Sequence, residues 1–169
     1  MHKNKSYKRE ENKIRVFVDA DSCPVKTEIY QVAKKYGIKV VIVANNYMRT
    51  PPGELIEIVT VGSESDAADI WISENCRKND IVITSDLPLA ALCIKKEARV
   101  LSPKGKVLTE ESIAGPMMYR EISAHLRQMG DNSLSRTQPY SQKDRSRFLQ
   151  YFHQLIQSAL RAEGTLKTT

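Results

Sequence analysis

The apolar positions along the chain switch repeatedly between a period of two and a period near 3.6. Ile14, Val16 and Val18 alternate with Arg15 and Phe17 in a β-branched run that reads as a buried strand ending in Asp19 and Asp21. Ser22 and Pro24 stand where a helix would be capped and begun. Val25, Ile29, Val32, Ala33 and Tyr36 then recur at helical spacing up to Gly37, which predicts a helix over about 24–36. The run KVVIVAN at 39–45 has the length and continuity of a strand buried on both faces. Pro51, Pro52 and Gly53 oppose regular structure, and LIEIVTV at 55–61 predicts a third strand. Ala68, Ile72 and Cys76, with Trp71 beside them, predict a helix beginning near Ser65. DIVITSD at 80–86 is a fourth strand, LPLAALCIKKE the helix after it, and ARVLS at 98–102 a fifth strand before a turn at 103–106.

Two further helical stripes follow, Met118, Ile122, Leu126 and Met129 in one and Phe148, Phe152, Leu155, Ile156 and Ala159 in the other, separated by loop-like sequence at 130–141. Strands alternating with helices imply an α/β fold. The expected architecture is three-layered, with a mostly parallel five-stranded sheet, helices on both faces and a helical C-terminal extension. At 169 residues the expectation is one domain at 14–163, a basic flexible arm at 1–13 and a flexible tail at 164–169.

Composition narrows the function classes. No apolar run reaches the roughly 18 residues of a membrane span and the start lacks a signal-like stretch, so a soluble, cytoplasmic protein with no membrane partner is expected. Cys23, Cys76 and Cys93 are far apart without a CxxC pair, which points to free thiols rather than a disulfide framework or zinc site. The net charge of +6 is uneven: Lys and Arg outnumber Asp and Glu by 5 to 2 in residues 1–13 and by 6 to 3 in 130–169, with 15 of each between. Basic ends could hold a polyanion or simply be solvated. A homo-oligomer is left open.

The acids carry the candidate chemistry. In a parallel sheet every strand's carboxyl end and every following helix's amino end share one edge, so Asp19, Asp21, Asp66, Asp69 and Asp86 can converge there. Each also has a structural reading: Asp86 as cap of the next helix, Ser63 with Asp66 as a capping box, Asp21 or Ser22 as cap of the first helix. Two carboxylates about 6 Å apart repel by roughly 3 kcal/mol at an effective dielectric of about 20, so three cost on the order of 8 kcal/mol. That rivals a domain's whole stability, about 5–15 kcal/mol. Convergence therefore calls for a cation or for protonation, and all-oxygen ligation suits Mg²⁺ or Mn²⁺ with substrate phosphate.

DADSCPVK at 19–26, ESDAADIWI at 64–72 and ITSDLPLA at 83–90 resemble, in that order, the bacterial YaiI/YqxD family, from about Ile14 to the DRSRF segment near Phe148. That family is similar to the PIN-like and NYN metal-dependent ribonucleases. The resemblance implies a PIN-like fold, Mg²⁺ or Mn²⁺, a nucleic-acid partner, RNA rather than DNA, and nuclease potential. Carried over by motif, Asp19 and Asp86 are metal ligands, Asp66 or Asp69 supplies the helix acid, and Asp21 is a further ligand or a base.

Asn45, Arg49, Thr50, Ser85 and Lys104 stand in loops where they could grip substrate, as could Lys106, Arg145 and Arg147, although isolated loop cations are usually just solvated. His2, His125 and His153 form no ligand spacing, and Tyr7, Tyr47 and Tyr140 are too scattered for a base-stacking platform. Cys23, near the acids and a helix start, would have its thiol pKa lowered there. VDADS also resembles the nucleophile loop of haloacid dehalogenase phosphatases, with Asp19 attacking phosphorus, but Asp86 precedes Lys104 and the fifth strand ends in LSP without an acid. A receiver-like switch is weaker, since the third strand ends in TVG. A non-catalytic module binding nucleic acid or protein is the remaining alternative.

Overall fold

The computed structural model describes residues 14–21, 23–115 and 139–164. The strands are β1 (Arg15–Asp19), β2 (Lys39–Ala44), β3 (Ile56–Thr60), β4 (Ile81–Ile83), β5 (Arg99–Leu101) and β6 (Val107–Leu108). The helices are α1 (Lys26–Tyr36), α2 (Ala67–Asn75), α3 (Leu87–Lys95), α4 (residues 110–115) and α5 (Gln142–Ala162). They form one sheet of order β3-β2-β1-β4-β5-β6, parallel throughout except for the β5–β6 pair. The α/β architecture agrees with expectation, with one addition. Residues 107–108 double back as a sixth, antiparallel strand, too short to show a period in the sequence.

Strand alternation divides the interior in two. Val16, Val18, Val40, Ile42, Ile81, Ile83 and Leu101 face α1 and α5, burying Ile29, Val32, Phe148, Phe152 and Ile156 against them. Phe17, Val41, Val43, Val82 and Val100 point the other way onto α2 and α3, where Ala68, Ile72, Leu89, Ala90 and Cys93 are buried. Helices thus cover both faces, which is why the central strands read as continuous apolar runs. The three cysteines are free and buried, as their spacing implied.

Several boundaries shift. α1 begins at Lys26 with Val25 at its cap position and no side-chain cap, so Asp21 does not cap it. α2 begins at Ala67 with Asp66 at the cap position and no side-chain cap bond, so the Ser63–Asp66 capping box does not form. Asp86 does cap α3, its Oδ1 accepting from Leu89 N–H at 2.8 Å. The capping box that does form belongs to α5, where Ser141 and Asp144 bond reciprocally. The arm at 1–13, all but Gly164 of the tail at 164–169, Ser22, the stripe from Met118 to Met129 and most of the 130–141 loop lie outside the described residues, as do His2, Tyr7 and His125.

The β5–β6 connection packs tightly on α5. Ser102 N–H donates to Lys106 O and Gly105 N–H to Ser102 O, and Tyr140 O–H reaches Pro103 O at 3.0 Å. Gly105 has φ +84°, and a Cβ there would lie 2.4 Å from Phe148 N and 2.6 Å from Arg147 C. Gly105→Ala should therefore lower unfolding free energy by about 2 kcal/mol or more, the combined effect of left-handed strain and overpacking. Urea unfolding reads it directly, and a loss below about 0.5 kcal/mol would show the turn to be loosely held.

Candidate functional site

The chain winds from β1 to β2 to β3 on one side of the sheet, then returns past β1 to lay down β4 and β5 on the other. The switch point lies between β1 and β4. Open α/β sheets bind ligands just outside the carboxyl ends of strands at such a point. Asp19 is the last residue of β1, and Thr84 to Asp86 directly follow β4, so these residues flank the crevice.

Thr84, buried, ties the two sides together. Its hydroxyl donates to Asp19 Oδ2 at 3.1 Å, and the same oxygen accepts from Asp86 N–H at 3.0 Å. Asp19 and Asp86 thus stand on one rim. Asp86 commits Oδ1 to the cap of α3. Thr84 went unnoticed in the sequence because ITSD reads as an ordinary strand end; a hydroxyl residue two positions before an acid at a parallel strand's carboxyl end is the signal.

Burial and neighbouring acids both act on the carboxyls here. Burial pushes the Asp19 carboxyl up from 3.8 to about 6; the Thr84 bond acts the other way, while Asp69, Asp21 and Asp86 each raise it further. Asp69, in the first turn of α2, is likewise raised, by burial first and then by Asp86, Asp66 and Asp21. Asp21 and Asp66 are exposed at the border of this group. Among the described residues none of the five acids is in an ion pair. Nor, among those residues, do three His, Cys, Asp or Glu side chains gather into a ready metal cage. The acids feel one another without closing a coordination shell. The donor set is all carboxylate oxygen, the kind that Mg²⁺ and Mn²⁺ take together with water.

The remaining candidates disperse. Asn45 follows β2 half-buried, its Oδ1 without a hydrogen-bond partner, whereas Arg49 and Ser85 are exposed and Thr50 is partly so. Lys104 sits on the β5–β6 turn and acts on Asp144 of α5. Arg145 pairs with Glu28 at 3.2 Å and Arg147 with Asp144 at 3.6 Å. His153 is a partly buried histidine whose Nδ1 lies 3.1 Å from Tyr36 Oη. Cys23 departs from expectation: burial pushes its thiol up, outweighing the Val25 backbone bond and Lys26.

A profile described as "Uncharacterized BCR, YaiI/YqxD family" matches residues 17–158. The chain belongs to the YaiI/YqxD family. A UPF0178 protein of Nitrobacter winogradskyi is 45% identical over 149 residues, covering 88% of this chain and 94% of its own. UPF0178 protein bll3966 of Bradyrhizobium diazoefficiens is 43% identical over 142 residues, 84% of each chain, and a UPF0178 protein of Caulobacter vibrioides is 40% identical over 147, 87% and 95%. No solved structure matches the chain. In this family member no helix among the described residues is long and apolar enough to cross a membrane.

A carboxyl raised on folding holds its proton more tightly in the native state. The stability Asp19 contributes is fully present below about pH 4 and is lost as pH rises through about 6. Discounted for its partial exposure, the swing is about 1–2 kcal/mol. Metal-free Asp19→Asn should therefore melt a few degrees above the wild type at neutral pH and alongside it near pH 4. Parallel melting curves across that range would show that Asp19 is not destabilised.

Proposed function

We propose that the protein is a Mg²⁺- or Mn²⁺-dependent phosphodiesterase acting on nucleic acid, with RNA as the substrate its PIN-like resemblance favours. One observation carries the reading: Asp19, oriented by Thr84 at the switch point, has its carboxyl pushed up to about 6 by burial first and then by Asp69, Asp21 and Asp86, with no cation paired to any of them among the described residues. A folded protein tolerates a buried, unpaired carboxylate among other acids where a ligand relieves it, and strongly raised acids in a crevice mark functional sites.

Asp19 and Asp86 would hold the ion through carboxylate oxygens, with Asp69 facing it from α2 directly or through water. When bound, it supplies an activated water and neutralises charge on the phosphodiester. Thr84 fixes the orientation of Asp19 by donating to Oδ2. Asp86, with Oδ1 on the α3 cap, offers Oδ2. Asp21 and Asp66 are both exposed, and Asp21, two residues past Asp19, would serve as a further ligand or as the base for an incoming water.

Asn can replace Asp86 without losing the α3 cap, since both are preferred capping residues. Loss of an outer-shell partner alone costs about 10–100-fold in metalloenzymes. Asp19→Asn and Asp86→Asn should therefore each slow Mn²⁺-dependent cleavage of labelled single-stranded RNA by about 100-fold or more, as read on denaturing gels. Equal cleavage by the variants would point to a contaminant and defeat the proposal. Tight binding without metal-dependent cleavage would favour a non-catalytic module.

A further inference from the structure

The tip of the β5–β6 hairpin lies on the same sheet edge as the acids, two strands from β1. It carries Lys104 and Lys106, both exposed, on either side of the buried Gly105. The side chain of Arg147 passes over that glycine: its Cγ lies 2.8 Å from where a Gly105 Cβ would be. Arg147 and Lys104 both act on Asp144, which is already engaged in the α5 capping box. Lys104 and Arg147 are thus held together around Asp144, which takes Ser141 N–H on Oδ2 and Arg147 on Oδ1, and Lys106 stands exposed on the same turn.

This cluster stands at the carboxyl edge of the sheet, as do Asp19 and Asp86. Arg145, one turn into α5, pairs with Glu28 of α1, and both Glu28 and Asp19 act on the Cys23 thiol. A negative centre with a positive shoulder suits a polyanion whose reacting phosphate meets a metal while its neighbours meet lysine and arginine. The chemistry of the shoulder also discriminates against a protein partner. Protein interfaces are anchored by exposed aromatic or apolar side chains, and the exposed large hydrophobics among the described residues, Tyr47, Ile70 and Leu92, lie elsewhere in the chain, before β3, on α2 and on α3. Charge without an apolar anchor is the composition of phosphate-backbone contacts, which position a strand without reading its sequence.

We infer that Lys104, Lys106 and Arg147 form a cationic rim that holds the phosphates of a single nucleic-acid strand beside the acids. The inference rests on the phosphodiesterase reading for its substrate class, but its test is binding, without metal. Anisotropy of a fluorescein-labelled oligouridylate in EDTA should show the K104Q/K106Q/R147Q variant binding at least about 10-fold more weakly than the wild type near 100 mM salt. Its log–log salt dependence should flatten by about 2, the share of three contacts at about 0.7 each on a single strand. The charge-keeping K104R/K106R/R147K variant should bind as the wild type does. The control R77Q/K78Q/K95Q, three exposed cations at the opposite edge of the sheet, should change the salt slope little. Circular dichroism melting of each variant confirms folding. Unchanged affinity and slope in the rim variant, equal weakening by the control, or no binding by the wild type would each overturn the rim. Loss of metal-dependent cleavage with the rim result intact would instead overturn only the catalytic reading.

Discussion

The two edges of the sheet treat negative charge in opposite ways. At the amino edge Asp80 is fully buried and fully compensated: its oxygens accept from Arg15 N–H at 3.0 Å and Arg77 N–H at 2.8 Å, and the Arg15 guanidinium lies 3.4 Å away. A buried carboxylate served this way is a structural device, costly to break because either partner alone would be an uncompensated buried charge. At the carboxyl edge no such cation is paired with Asp19, Asp69 or Asp86 among the described residues, and burial, with smaller contributions from the neighbouring acids, holds the Asp19 carboxyl well above its ordinary range. The protein solves its charge problem at one end of β1 and leaves it open at the other.

That contrast depends on the fold being rigid where the acids sit. β1 is central, paired along its length with β2 and with β4, and walled on both faces by separate apolar layers. Asp19 cannot swing away from its neighbours without disturbing a strand buried on both sides. Thr84 adds the link across the switch point, and Asp86 is fixed by two backbone bonds, one at its own N–H and one at its cap. The repulsion is therefore built in rather than relaxed, and a site of this kind gains most from a ligand that supplies positive charge without requiring the backbone to move.

Much of this was legible in the chain itself. The runs at 14–18 and 39–45 betray strands buried on both faces, and strand–helix alternation predicts that all five acids stand at one edge; in the structure Asp19 ends β1, Asp86 follows β4 and Asp69 lies in the first turn of α2. Local chemistry was less legible. The Ser63 and Asp66 pattern looks like a capping box, yet α2 starts one residue past Asp66 without one, while the box at Ser141 and Asp144 was overlooked. Capping depends on backbone angles that the order of residues does not reveal. Thr84 and Asp80 were missed because their roles are set by strand pairing across 65 positions of chain, and nothing local distinguishes a strand-end acid with an arginine partner from one without.

Membership of the YaiI/YqxD family and an α/β sheet with acids at its switch point are the firm ground; the hydrolytic role is the reading that explains why those acids go uncompensated. Its central claim concerns one location and one kind of ligand. Anomalous scattering from crystals soaked in Mn²⁺ tests it most directly. The account predicts a manganese peak in the β1–β4 crevice with oxygens of Asp19 and Asp86 in a shared hydrated coordination sphere and the Thr84 bond to Asp19 retained. A crevice without manganese at saturating concentration, or ions bound only at other carboxylates, would contradict it.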